Sequence, residues 1–143
     1  MATVHKILEK KGRAPYTIAP QITVFEALRE MVEKNVGALI VMDGETFRGL
    51  FTERDYARKV MLRDRTSRDT YVHEILDNDY FTVTVSTPIS DCMNIMTENS
   101  IRYLPVLDNG KLIGVISIGD VVKHIIEEQQ FTLDQMQSYI HER

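Results

Sequence analysis

Gly49-Leu-Phe-Thr-Glu-Arg-Asp55 and Gly114-Val-Ile-Ser-Ile-Gly-Asp120 are one seven-residue phrase written twice. Each reads glycine, two apolar residues, a hydroxyl residue, two variable positions and aspartate, and the copies lie 65 positions apart (114 − 49). Sliding residues 22–55 onto 87–120 without a gap aligns Met31 with Met96, Glu33 with Glu98, Leu39 with Leu104 and Val41 with Val106. Asp43 with Asp108, Gly49 with Gly114 and Asp55 with Asp120 complete the identical pairs. Further upstream, Val4-His-Lys-Ile-Leu8 mirrors Val72-His-Glu-Ile-Leu76, now 68 apart (72 − 4). Self-similarity on this scale marks a duplicated structural unit.

Each copy reads as strand, helix, strand, strand, helix. Tyr16–Ala19 and Phe81–Val85 suit short strands, and Val24, Leu28, Met31 and Val32 carry helical spacing that Ile89, Met93 and Met96 repeat. The apolar runs Ala38–Met42 and Leu104–Leu107 end at Asp43-Gly44 and Asp108-Asn-Gly110, which signals hairpins into Phe47–Phe51 and Leu112–Ser117. The last helix of each copy opens at the repeated phrase. These patterns predict an α+β protein with repeat 1 over residues 1–68, repeat 2 over 69–130 and a helical tail over 131–143. Leu133, Met136 and Ile140 fall at helical spacing, and the tail is expected to pack against the body. One copy of about 60 residues buries too little to be stable alone. Two copies packed sheet to sheet about a pseudo-two-fold axis would share a core, with ligand clefts where they meet.

Composition narrows the class. The 143 residues are 43% hydrophobic and 27% charged, with 17 basic against 21 acidic side chains. A net charge of −4 supplies no field for nucleic acid. The longest apolar run, Ala38–Met42, is far short of the ~20 residues of a membrane span, and the N-terminus has no apolar leader segment. The single cysteine, Cys92, forms no internal disulfide and fits a reducing compartment, so a cytoplasmic protein is expected.

The phrase has two readings. Thr52-x-x-Asp55 and Ser117-x-x-Asp120 fit a helix cap, in which a hydroxyl and an acid three positions on satisfy free backbone N–H groups. The same helix start is a potential anion site, where the hydroxyl would hold a phosphate and the carboxylate would accept hydrogen bonds from a ribose diol. In that reading Gly49 and Gly114 admit a ligand close to the strand backbone.

Ser100-Ile-Arg-Tyr-Leu-Pro-Val-Leu-Asp108 followed by Gly114–Asp120, and Asn35-Val-Gly-Ala-Leu-Ile-Val-Met-Asp43 followed by Gly49–Asp55, resemble a tandem pair of CBS domains, the modules named after cystathionine β-synthase. The likeness covers roughly residues 4–128, and Thr52–Val60 is similar to small stand-alone bacterial CBS pairs. It implies two β-α-β-β-α repeats and a regulatory, non-catalytic sensor. The implied ligand is an adenosine compound, AMP above all, with ADP, ATP, NAD or S-adenosylmethionine also in the class, and no metal is required. It also implies crossed clefts. Asp120 with Ser117 would work opposite Tyr16, Thr17, Gly37 and Ala38, and Asp55 with Thr52 opposite Phe81, Thr82, Arg102 and Tyr103. Arg102 and Arg54 are the implied phosphate partners, since a guanidinium matches phosphate oxygens. The first copy departs from the family pattern by reading Leu39-Ile-Val41 and by placing Gly37 where the second has Arg102, so the two clefts should differ.

Remaining candidates read as structural. His5, His73, His124 and His141 lack a cysteine or carboxylate at metal-ligand spacing. Cys92 aligns with Ala27 on a helix, as a small core residue would. The basic run Arg54–Arg68 reads first as a solvated face, with a lining for a phosphate tail or a nucleic-acid contact as the alternatives. No nucleophile, base and orienting group fall together as an enzyme would need. Exposed helical faces argue for a homodimer with two-fold symmetry, acting on an unspecified downstream protein. A structural dimerisation module with degenerate clefts and a nucleotide-processing enzyme are the alternatives.

Overall fold

The computed structural model describes residues 1–11, 16–77 and 80–141. In chain order the elements are α1 (Val4–Lys11), β1 (Thr17–Ile18), α2 (Val24–Lys34), β2 (Ala38–Asp43), β3 (Thr46–Thr52), α3 (Glu53–Lys59), α4 (Val72–Ile75), α5 (Ile89–Asn99), β4 (Tyr103–Asp108), β5 (Lys111–Ser117) and α6 (Ile118–His141). This is the α+β order expected from the repeat. Both hairpins form, β2–β3 antiparallel with Ala38 opposite Thr52, and β4–β5 across Asn109-Gly110, whose positive φ values of 49° and 80° suit a tight turn. The two middle helices end alike as well, on Asn35 and Ser100 in the left-handed conformation.

Two compact units exist, and neither follows chain order: one comprises Met1–Gly12, Phe81–Asp108 and Ile113–Arg143, the other Arg13–Tyr80 and Asn109–Leu112. The leading segment of each copy is stitched to the other copy's middle helix. In the first unit the amide of Val4 donates to Thr87 O (2.9 Å), His5 to Val85 O (2.9 Å), and Ile89 to Ala2 O (3.1 Å). In the second unit Val72 donates to Ile22 O (3.0 Å), His73 to Pro20 O (3.0 Å), and Val24 to Thr70 O (2.8 Å). The same bonds recur at the 65- and 68-residue offsets. Thr70 is buried, so these bonds satisfy backbone groups that water does not reach.

The two cores repeat at nine paired positions, while Val121 in one and Val60 in the other lack a fully buried counterpart. One gathers Val4, Ile7, Val83, Ile89, Cys92, Met96, Leu104, Val106 and Ile116; the other gathers Val72, Ile75, Ile18, Val24, Ala27, Met31, Leu39, Val41 and Phe51. Cys92 is fully buried in the place of Ala27, as its alignment suggested. Val4 and Ile7 each contribute about 1.5–3 kcal/mol by leaving water, which no residue of the second copy supplies in their place.

Two expectations need correction. The strand expected at Phe81–Val85 shrinks to a single parallel bridge, Val83 to Val106. In the first copy Ile40 donates to Tyr16 O at 3.1 Å; the matching position in the second is Pro105, which has no N–H to offer Phe81. The tail does not return to pack on the body. Between Asp120 and His141 there is neither glycine nor proline to stop a helix, so α6 runs straight on, leaving Phe131, Leu133, Met136 and Ile140 between 54% and 65% exposed.

The repeated glycines make room for protein, not ligand. A Cβ on Gly114 would lie 2.9 Å from Leu8 Cδ2, and one on Gly49 would lie 3.7 Å from Leu76 Cδ2, Leu8 and Leu76 being the paired residues of the leading segments. Gly49 also holds φ at +140°, which a side chain would strain. Gly114→Ala should therefore couple to Leu8→Ala in a double-mutant cycle, the trimmed leucine relieving the clash. Gly49→Ala should cost more than about 1 kcal/mol whether or not Leu76 is trimmed. Urea denaturation of the four variants and two doubles checks this; equal coupling in both pairs would contradict it.

Candidate functional site

The repeated phrase begins at the end of a strand and turns directly into a helix. Thr52 is the N-cap of α3 in extended conformation (φ −122°, ψ 161°). The amide of Asp55 donates to Thr52 Oγ1 (3.1 Å), while the Thr52 amide and hydroxyl both donate to Asp55 Oδ2 at 2.9 Å. Ser117 and Asp120 repeat the exchange: the Asp120 amide donates to Ser117 Oγ (3.1 Å) and the Ser117 amide to Asp120 Oδ2 (2.9 Å). The capping reading holds in both copies. It does not exclude the other reading, because a carboxylate has about four acceptor positions and the box uses Oδ2.

A lysine stands beside each capped carboxylate. Lys11 Nζ lies 2.9 Å from Asp120 Oδ2 and donates to Val115 O at 2.7 Å. Lys59 Nζ lies 3.5 Å from Asp55 Oδ1, donates to Ile75 O at 3.0 Å and pairs with Asp77 at 2.8 Å. Both aspartate side chains are 24% exposed, open enough to be reached and dry enough for the charge pairs to count. Each lysine ties its cap to a leading segment. Lys11 sits on α1 itself, and Lys59 reaches from α3 to the chain just past α4. Sequence reasoning missed both. Lys59 has a local signal, four residues beyond Asp55; Lys11 has none, since it arrives from the opposite end of the chain.

The other expected site residues fall into two sets. Tyr16, Thr17, Gly37 and Ala38 belong to the unit of Thr52, Arg54 and Asp55. Glu53 donates to Gly37 O at 3.2 Å, and Ala38 pairs with Thr52, so the start of β2 lies against the cap. Tyr16 carries Lys34 over its ring at 5.3 Å. Phe81, Thr82, Arg102 and Tyr103 belong to the unit of Ser117 and Asp120. There Ile118 donates to Arg102 O at 2.8 Å, the counterpart of the Gly37 bond. Arg102 is exposed, as are Phe81 and Thr82. The crossed pairing implied by the family resemblance joins residues assigned to different units. Within the second unit, a groove of about 370 Å³ runs beside Thr17, Ile18, Ala19 and Ile22 and is walled by Glu26, Glu30, Glu33 and Arg29. Of the expected residues only Thr17 lines it.

Most of the remaining candidates have partners within the fold. Arg65 pairs with Glu74, and Arg68 lies over the Phe25 ring at 4.1 Å, so the basic run is partly tied down. His5 faces Glu9 at 3.3 Å, His73 stacks on Tyr71 with centroids 5.7 Å apart, and buried His124 lies 3.2 Å from Glu128. Burial pushes the Cys92 thiol up to about 11, which makes a poor nucleophile. Among the described residues no cluster of three His, Cys, Asp or Glu could hold a metal ion, and no helix is long and apolar enough to cross a membrane.

Two α+β units, each with a hydroxyl–aspartate cap at a strand-to-helix turn, define a tandem-repeat module. The chain belongs to the CBS-domain family: the family model described as CBS domain matches residues 11–62 and again 72–127. The mitochondrial CBS domain-containing protein CBSX3 of Arabidopsis thaliana is 35% identical, over 96% of this chain and 71% of its own length. A solved protein with CBS domains from Burkholderia ambifaria MC40-6 is 48% identical with a TM-score of 0.84, covering 90% of this chain and 96% of its own. The fold is also that of the CBS domain pair of MJ0100, solved in complex with 5′-methylthioadenosine and S-adenosyl-L-methionine, at 21% identity and a TM-score of 0.76 over 90% of this chain and 98% of its own. CBS pairs are regulatory modules.

Because the caps serve the helices whatever else they do, Asp55→Ala and Asp120→Ala should each lower stability by about 0.5–2 kcal/mol. Chemical denaturation without added ligand checks this; unchanged midpoints would mean that the reciprocal bonds are not formed in solution.

Proposed function

We propose that this chain is a regulatory sensor of adenine nucleotides, AMP-, ADP-, ATP- or NAD-like, that performs no chemistry on them and works as a homodimer in the cytoplasm. The observation that carries the reading is the duplicated cap. Asp55 and Asp120 each stand part-exposed in the first turn of a helix just past a strand end, with Oδ2 committed to the backbone and acceptor capacity left for the two hydroxyls of a ribose. Thr52, Ser117, Arg54 and Arg102 are the proposed neighbours for phosphate, and Tyr16, Thr17, Gly37, Ala38, Phe81, Thr82 and Tyr103 for the base and sugar. A complex of an adenosine compound with a CBS pair of the same fold supports the ligand class.

The lysines give the proposal a route from binding to response. Hydroxyls arriving at Asp120 change the field at Lys11, which holds α1 to the cap and to Val115 O. Hydroxyls arriving at Asp55 act through Lys59 on Ile75 O and Asp77, at the end of the other leading segment. Ligand binding is thereby reported at the segments that stitch the two copies together. A purely structural module is the second reading, favoured by one observation: the caps alone give both aspartates a role.

The two sites should be unequal, since Arg102 offers a guanidinium where its counterpart, Gly37, offers none. Charge-assisted bonds to phosphate are the strong class. Isothermal titration of the intact protein with AMP should resolve two affinities, and Arg102→Ala should weaken one of them by about 10- to 150-fold. No heat of binding at millimolar AMP would leave the structural module. Turnover of nucleotide on prolonged incubation would replace the sensor by an enzyme.

A further inference from the structure

The tail of α6 carries a pattern that the nucleotide reading does not use. Val122, Ile126, Gln129, Leu133, Met136 and Ile140 recur at spacings of 4, 3, 4, 3 and 4, the alternation of a coiled-coil seam. The helix is continuous throughout, so these residues form one stripe about 27 Å long. Its apolar members are all exposed: Val122 40%, Ile126 59%, Leu133 54%, Met136 57% and Ile140 65%. A stripe this apolar and this regular is not what an isolated surface helix presents to water.

Its flanks say what would cover it. Beyond Lys123, the positions bordering the seam are Ile125, which packs against the unit's own core, and Gln130, Thr132, Gln137 and Tyr139, none of them charged. The acidic residues Glu127, Glu128 and Asp134 fall on the outer face, and Lys10 bonds Glu127 there at 2.9 Å. Two copies of this seam can therefore meet without juxtaposing like charges, whereas a charged partner finds nothing complementary at the edge. An anionic membrane is disfavoured too, because interfacial helices carry lysine and arginine on the polar face, and this one carries glutamate and aspartate. Five apolar seam residues at about 100 Å² apiece, with their uncharged borders, approach the ~800 Å² per partner of a stable interface.

We propose that the seam Val122–Ile140 of α6 is the self-association surface of the protein, closed by the same seam of a second copy. This rests on the homodimer proposed above and names the element that forms it. It also gives the exposed tail a role. The six-residue register separates a seam from general greasiness, since Phe131, 65% exposed, lies on the opposite side of the helix.

Sedimentation velocity of the full chain at micromolar concentration tests this with three proteins. The wild type should be a dimer, Leu133→Glu/Met136→Glu should be a monomer, and Phe131→Glu should stay a dimer. Glutamate is a good helix former, and the circular dichroism and urea midpoint of each variant's body, with AMP titration, verify that the units still fold. A wild-type dimer left intact by the double substitution would overturn the seam while the homodimer stands. A monomeric wild type would overturn both, and so would recovery of the wild type on vesicles of phosphatidylserine and phosphatidylcholine in place of self-association. Dissociation by Phe131→Glu would overturn the register.

Discussion

Three backbone hydrogen bonds, made twice, hold this architecture together. The amides of Val4, His5 and Ile89 in one unit, and of Val72, His73 and Val24 in the other, join a leading segment to the middle helix of the opposite copy. They fix where Val4 and Ile7, or Val72 and Ile75, enter each core. They also set Leu8 and Leu76 over Gly114 and Gly49, which is why the phrase begins with glycine. Each unit thereby gains, in Val4 and Ile7 or Val72 and Ile75, apolar side chains that a single copy of this size would lack.

The capped aspartates follow from the same arrangement. Glycine lets the strand pass under the leucine, the strand ends at the hydroxyl residue, and the aspartate closes the first turn of the helix that follows. In the proposed reading, capping and ligand binding fall on one side chain. The cap bonds hold each carboxylate in place, so the proposed ligand would meet an acceptor whose rotamer is already fixed. The lysine beside it differs in origin between the copies, from α1 for Asp120 and from α3 for Asp55, so the duplicated sites are alike in chemistry but not in wiring.

The repeat, both hairpins and both caps were legible in the sequence because each is a local pattern of turn residues, periodicity or capping pairs. What escaped notice was decided by residues far apart in the chain. The exchange of leading segments is invisible to a register that slides one copy over the other in order. Lys11 meets Asp120 across almost the whole chain. Pro105 ended a strand by lacking an N–H that only its partner at Phe81 would have needed. The apolar spacing of the tail suits packing on a core. The same spacing also suits a seam, and the absence of glycine or proline after Asp120 was the signal that the helix continues. Nothing in the local spacing of the proposed site residues Tyr16, Arg102 and their neighbours marks them; only the family resemblance does.

The central claim is that an aspartate already engaged as a helix cap also holds a ribose. Calorimetric affinities of AMP and 2′-deoxy-AMP for the wild type, Asp55→Asn and Asp120→Asn test it most directly. The account predicts weaker binding of the deoxy sugar by the wild type. It also predicts a loss of about 10- to 150-fold for AMP at the altered site, with little further loss for the deoxy sugar there. Equal losses for both sugars, tracking a lowered urea midpoint, would show that the aspartates cap helices and nothing more.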